Sequence, residues 1–366
     1  MADRLLVLGE GRNGLLELKY ARARSKQMQQ PDDCWRHIYG EDDWKGMLDP
    51  LDPRLRRELI RYGEMAKSCY DAFESSRFSD NFGNCKFTHS NLFESLEMGN
   101  PGYEVSAYLY AASKNSSWRR FWKNNAKWIG YVAVSNDETS KRLGYRDITI
   151  AWKGTKTMSK WIIDFKNILK PILVEHDPTI KAESGFLHLY TDKDESCEDR
   201  KYSTREQILN AVKRLIQLYQ NEELSISITG HSLGSALAIL SAYDIALERA
   251  HNMMNDSRVI PIFVFSYSGP RVGNNKLKER LESLGVKVLR IVNVNDIVPK
   301  LPRVVFNENQ PKMLMKLTES LSWNYWHVGV KLTIGQKIKS CDLMIKSRDL
   351  ISAHKLENLL DLLKEV

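Results

Sequence analysis

The chain has 366 residues, 42% of them apolar and 27% charged, and a net charge of +8. That composition excludes collagen-like, coiled-coil and wholly disordered chains, and a chain this long can bury a sizeable core without disulfide or metal staples. No stretch approaches the ~18 consecutive apolar residues of a membrane span.

The first 30 residues hold six basic and three acidic side chains. They lack the apolar centre of a secretory signal, and with little Ser or Thr they make a weak organelle transit peptide. Gly9, Gly11 and Gly14 spell GxGxxG after the apolar run 5–8. A dinucleotide site needs a second strand behind that motif, and Pro31-Asp32-Asp33-Cys34-Trp35 offers none. Residues 1–43 are expected to be a leader, flexible or partly ordered, ahead of one domain over 44–366.

Residues 50–75 read as helix. Pro53 suits a first turn, and Leu55, Leu59, Tyr62, Met65, Ala66 and Cys69 recur at helical spacing. Residues 76–100 carry no period and read as loop. Strands are predicted over 104–111, 128–135 and 146–153, the last alternating Ile148, Ile150 and Trp152 with Thr149 and Ala151. Trp118-Arg119-Arg120-Phe121-Trp122-Lys123 between them is an aromatic-basic cluster of the kind found at membrane interfaces, or a packed loop. A helix signal covers 158–169. A second amphipathic helix opens at Ser203 with Glu206 three residues on, a capping-box pattern. Strand 225–229 and helix 235–249 come next, then strands 260–267, 286–294 and 328–334, and a last helix from about 351. Strands alternating with helices argue for an α/β fold with a largely parallel sheet.

Cys34, Cys69, Cys85, Cys197 and Cys341 are odd in number and scattered. They fit neither a disulfide framework nor a metal site, so reduced thiols in an intracellular compartment are expected, with no metal and no cofactor. The charge excess is local: residues 271–316 carry ten basic and four acidic side chains. Without zinc-finger spacing, RNP-type aromatics or a basic run, nucleic acid is not the expected partner.

The sharpest chemical signal is Gly230-His231-Ser232-Leu233-Gly234, preceded by a β-rich strand and followed by a helix of small residues. That is the strand–turn–helix setting of a nucleophile elbow, which lifts a serine Oγ above the sheet. The helix N-terminus behind it lies near developing negative charge. A serine hydroxyl needs a base, and in this architecture the chain order is Ser, then Asp or Glu, then His. Asp296 follows strand 286–294 and precedes Ile297-Val298-Pro299, where a parallel strand exits at the site face. Two histidines come later. His327 starts a strand; His354 stands at or before a helix start, where a loop presents the ring. The second is favoured and the first stays open. His231 is pinned beside the nucleophile and cannot swing onto it.

These segments together resemble the class 3 lipase family, and within it the plastid-type plant phospholipase A1 acylhydrolases, the anther-dehiscence-like group. The resemblance runs from about Trp44 to Leu360. It is carried by Trp44-Lys45-Gly46-Met47-Leu48-Asp49-Pro50, Arg61-Tyr62-Gly63-Glu64, Gly144-Tyr145-Arg146-Asp147-Ile148 and Ala151-Trp152-Lys153-Gly154-Thr155. The elbow with Thr229 and Ser235, then Ser268-Gly269-Pro270-Arg271-Val272-Gly273-Asn274 and Asn293-Val294-Asn295-Asp296 carry it further. His327-Val328-Gly329-Val330 and Ala353-His354-Lys355-Leu356-Glu357 complete it. The resemblance implies an α/β-hydrolase fold with helices on both faces and a lid helix. It implies the triad Ser232, Asp296 and His354, and an oxyanion hole from the backbone N–H groups of Thr155 and Leu233. It places the lid at about 157–169, with Trp161 and Phe165 apolar and Asp164 at the hinge position. It implies release of the sn-1 fatty acid from a phospholipid or galactolipid at a membrane surface, in a plastid. A neutral-lipid lipase and a catalytically silent scaffold are the alternatives.

Overall fold

The computed structural model describes residues 34–99, 101–112, 127–155, 168–173, 177–193, 201–252, 259–302, 324–337 and 352–365. Seven strands form one sheet. In chain order they are β1 (Tyr103–Ala111), β2 (Lys127–Ser135), β3 (Arg146–Trp152), β6 (Leu224–His231), β7 (Ile262–Tyr267), β8 (Lys287–Asn293) and β9 (Val330–Ile334). They lie side by side in that same order. β1–β2 and β2–β3 pair antiparallel; every later pair is parallel. A short hairpin, β4 (Leu169–Pro171) with β5 (Lys181–Glu183), stands apart.

Both faces of the sheet are buried, so β7 (IFVFSY) reads as a nearly continuous apolar run, while β3 and β6 alternate apolar with small polar or acidic residues that are also buried. In β3, Ile148, Ile150 and Trp152 join the core on one face, while Asp147 and Thr149 turn to the other. In β6, Ile226 and Ile228 alternate in the same way with the buried Ser225, Ser227 and Thr229. The first face is covered by α5 (Ser184–Thr191), α6 (Thr204–Leu218), α7 (Leu233–Asn252) and α8 (Asn275–Ser283). The opposite face is covered by α1 (Cys34–Ile38), α2 (Pro53–Asp71) and α9 (Leu356–Glu365). Single-turn α3 (Leu92–Ser95) and α4 (Asp137–Leu143) complete the set.

The predicted elements map onto these, with five helices unforeseen: α1, α4, α5, α8 and the single turn α3, which falls in the stretch 76–100 expected to be loop. In α4 the local signals were present: the Asn136 side chain accepts from the Thr139 N–H, and Gly144 ends the helix at φ +82°. At seven residues, the helix is too short for a visible apolar period. In α6 the capping box is present in both directions, with Ser203 and Glu206 each holding the other's backbone N–H. Residues 34–43, grouped with the leader in the sequence reading, pack on the domain. Trp35 stacks on Tyr145 at 4.1 Å, and Tyr39 is buried among Tyr62, Tyr145 and Phe265. The GxGxxG motif of residues 9–14, the aromatic-basic cluster 118–123 and all but the last two residues of the helix signal at 158–169 lie outside the described residues, and at the end of that signal Leu169 opens strand β4 instead. Among the described residues no helix is long and apolar enough to cross a membrane, and Cys69 and Cys85 are buried free thiols.

Candidate active site

The parallel strands all exit at one edge, and the elbow sits at its middle. Ser232 follows β6 directly, with φ at +58°. A non-glycine residue held there is strained, and such strain persists only where the surroundings fix it. Here the Ser232 N–H donates to the Tyr267 carbonyl at 2.9 Å, and Ser235 caps the bend through the Gly230 carbonyl at 2.5 Å. Gly234 cannot be larger: a Cβ there would lie 2.6 Å from the Trp152 carbonyl oxygen, so α7 could not start so close to β3.

Asp296 lies three residues past β8 and is fully buried. Its Oδ1 accepts the Val298 N–H at 2.9 Å, which fixes the carboxylate plane. Its Oδ2 lies 2.9 Å from Nδ1 of His354. The other ring nitrogen of His354, Nε2, lies 2.9 Å from Ser232 Oγ. A buried carboxylate, an imidazole and a strained serine thus form one hydrogen-bonded row. His354 stands just before α9, where the ring is presented from a turn rather than from a helix face.

His327, the other histidine open from sequence, stands elsewhere. Its Nε2–H donates to the Pro299 carbonyl at 2.7 Å, so that nitrogen is engaged on the loop after Asp296. Burial, together with the nearby Arg290 and Arg271 charges, pushes its pKa well below the usual imidazole range. Asp244, on α7 after the bend, faces α6 instead and is held bidentately by Arg205 at 2.6 and 2.7 Å.

Thr155 lies three residues beyond the end of β3, at the same sheet edge as Ser232. Its Oγ1 is buried and has no hydrogen-bond partner among the described residues. Leu233 opens α7, where first-turn N–H groups have no acceptor within the helix. Trp161, Asp164 and Phe165 lie outside the described residues. Among the described residues no cluster of His, Cys, Asp or Glu is arranged to hold a metal.

Two contributors were invisible as site residues in the sequence. Arg271 holds the loop after Asp296 by donating to the Lys300 and Pro302 carbonyls at 2.8 and 3.0 Å. Tyr70 lies at the margin of the apolar stripe of α2, and its hydroxyl is 2.7 Å from His231 Nδ1. No local pattern points from residue 70 to residue 231.

The sheet order, the strained bend after β6 and the carboxylate after β8 define an α/β-hydrolase. The class 3 lipase family model matches residues 149–306. Over 364 residues the chain is 51% identical to phospholipase A1-Igamma1, chloroplastic, of Arabidopsis thaliana, covering 95% of this chain and 70% of that protein. It is 44% identical over 307 residues to the galactolipase DONGLE, chloroplastic, of the same plant, covering 82% of this chain and 65% of that one. The fold resembles that of the Lip2 lipase from Yarrowia lipolytica, with a TM-score of 0.51 at 16% identity, over 83% of this chain and 93% of that one. The chain belongs to the class 3 lipase family, within its plant phospholipase A1 group, and is a carboxylic ester hydrolase.

Proposed function

We propose that the chain hydrolyses the sn-1 acyl ester of a membrane glycerolipid, with Ser232 as nucleophile, His354 as base and Asp296 as its orienting carboxylate. The observation that carries this reading is the row just described: one imidazole within 2.9 Å of both a buried carboxylate and a strained serine hydroxyl. Ser232 Oγ attacks the ester carbonyl while His354 Nε2 takes its proton. The imidazolium then protonates the departing glyceryl oxygen, and Asp296 stabilises that cation and fixes the tautomer. Water, activated by the same nitrogen, hydrolyses the acyl-enzyme.

The tetrahedral oxyanion needs donors already aimed at it. The Leu233 and Thr155 N–H groups are assigned that role, and the Thr155 hydroxyl, buried and without a partner among the described residues, supports it. The lid role of 157–169, with Trp161 and Phe165 meeting lipid and Asp164 at the hinge steadying the oxyanion-hole hydroxyl of Thr155, is proposed from the family pattern. The phospholipase and galactolipase names of the relatives support a polar glycerolipid over triacylglycerol, and their chloroplast location supports a plastid. Peripheral contact with the bilayer follows from the substrate.

The test is acyl release from phosphatidylcholine, monogalactosyldiacylglycerol and triolein by wild type and Ser232→Ala. The polar lipids are cleaved, with product fatty acid from sn-1, and the alanine variant is slower by about 10⁴-fold or more. Hydrolysis of triolein alone would overturn the substrate class. An alanine variant as fast as wild type would overturn the nucleophile.

A further inference from the structure

The elbow histidine is buried, takes no direct part in the chemistry just proposed, and is hydrogen-bonded at both ring nitrogens. His231 Nε2 lies 2.8 Å from the backbone carbonyl of His354. A carbonyl only accepts, so Nε2 carries the hydrogen. Nδ1 is then the acceptor, and the Tyr70 hydroxyl 2.7 Å away must be the donor. On its other side the Tyr70 oxygen packs against the Gly154 backbone. The contact there is close enough that a Cβ on Gly154 would lie 2.0 Å from the Tyr70 oxygen and 2.4 Å from the His231 carbonyl. One directed chain therefore runs from Tyr70 O–H to His231 and from His231 N–H to His354 C=O, with the Gly154 backbone packed against its first member.

Each link belongs to a different carrier of the site. Gly154 precedes Thr155 at the end of β3, His231 precedes Ser232 in the bend, and His354 supplies the base. Tyr70 reaches them from the last turn of α2. The His231 and His354 rings lie 4.7 Å apart between centroids. During the proposed cycle His354 becomes positive, so a second charged ring at that distance would oppose it. Burial, and secondarily His354 itself, hold His231 far below the usual imidazole range and hence neutral.

From this geometry we infer that Tyr70 and His231 are positioning residues, a neutral hydrogen-bonded brace that sets the Thr155 strand end and the His354 ring in register with Ser232. The inference rests on the hydrolase reading above and adds two residues to its machinery. The brace touches neither the reacting atoms nor the substrate. Loosening it should slow chemistry and leave binding alone, because a small misplacement of catalytic groups is costly in rate.

The experiment uses the full chain, a soluble short-chain p-nitrophenyl ester and a fluorophosphonate probe. Tyr70→Phe lowers kcat by roughly 10-fold or more with KM unchanged. Its labelling by the probe slows by a similar factor yet still reaches one probe per chain, which a partly unfolded population would not. In a second pair, His231→Gln keeps an N–H for the His354 carbonyl and retains more activity than His231→Leu. Wild-type kcat in Tyr70→Phe, or equal kcat in the Gln and Leu variants, overturns the inference while leaving the hydrolase reading intact. No labelling of wild type overturns both.

Discussion

Two buried carboxylates sit at opposite ends of β3 and β8, and what stands beside each decides its use. Asp147 lies at the start of β3. Its Oδ2 accepts from Tyr62 and Tyr103 at 2.8 Å each and from Thr149 at 2.7 Å. Arg61 donates to Tyr103 and Tyr39 at 2.9 and 2.7 Å and pairs with Glu58. Burial pushes the Tyr62 and Tyr103 phenols far up, so they remain fixed donors. Asp296 also has a hydroxyl in its row, but an imidazole stands between them. Imidazole is the one side chain whose ordinary pKa lets it exchange a proton near neutrality. A buried carboxylate ringed by hydroxyls thus serves as scaffold here, and an interposed imidazole turns the same pairing into a candidate for chemistry.

Removing each carboxylate's charge is the sharpest way to break that contrast. Asp296→Asn lowers kcat by about 10⁴-fold, because the amide favours the wrong imidazole tautomer, while the melting temperature moves little. Asp147→Asn does the reverse. Its charge-assisted hydrogen bonds are worth about 2–3 kcal/mol together in a buried site, and the folded fraction keeps wild-type kcat/KM. Thermal unfolding and ester hydrolysis on the same two preparations check both. If Asp147→Asn also abolishes turnover in fully folded protein, the division between scaffold and site fails.

The pH dependence of stability sharpens it next. His231 is depressed well below its ordinary range, first by burial and then by His354. The unfolded chain takes up a proton at about pH 6.5 that the folded chain refuses. The stability due to the neutral ring is therefore complete above that pH and is lost as pH falls below it, at up to about 1.4 kcal/mol per pH unit. Urea unfolding between pH 7 and pH 5 should show a shallower dependence in His231→Gln than in wild type. The Asp147 cluster contributes no such imidazole, so Tyr62→Phe should keep the wild-type slope. Equal slopes in wild type and His231→Gln would mean that the ring takes up its proton in the fold as readily as in the unfolded chain.

How far the sequence announced all this follows from the range of each constraint. The sheet was legible because Ile148, Ile150 and Trp152, or Ile226 and Ile228, write their two faces into adjacent letters. The bend at Ser232 and the acid position after β8 were legible for the same reason: each is a local strand exit with its own turn chemistry. Which histidine stands between Asp296 and Ser232 was not settled locally, since His327 and His354 both follow Asp296. His354 meets Ser232 across 122 residues of chain, and only three-dimensional distance separates the two rings. Tyr70 was less visible still, 161 residues from its histidine partner. The short α4 escaped because seven residues give too few turns for an apolar stripe, although its caps were in plain view.

The smallest effect tests the comparison within a single helix. Tyr62 and Tyr70 both rise from α2, eight residues and on the order of 12 Å apart. Each donates a buried or half-buried phenol hydrogen bond, Tyr62 to the scaffold carboxylate and Tyr70 to the elbow histidine. The same substitution therefore has opposite signatures at the two positions. Tyr62→Phe removes one of three donors to Asp147 and leaves the stacking of its ring on Phe265 at 4.6 Å in place. It lowers stability by about 1 kcal/mol, with kcat on the soluble ester unchanged. Because Phe keeps the ring at both sites, packing is held constant and only the hydroxyl is compared. A kinetic loss at Tyr62 as large as that at Tyr70 would mean that α2 tunes the site as one rigid body, and that the two ends of the sheet are a single network.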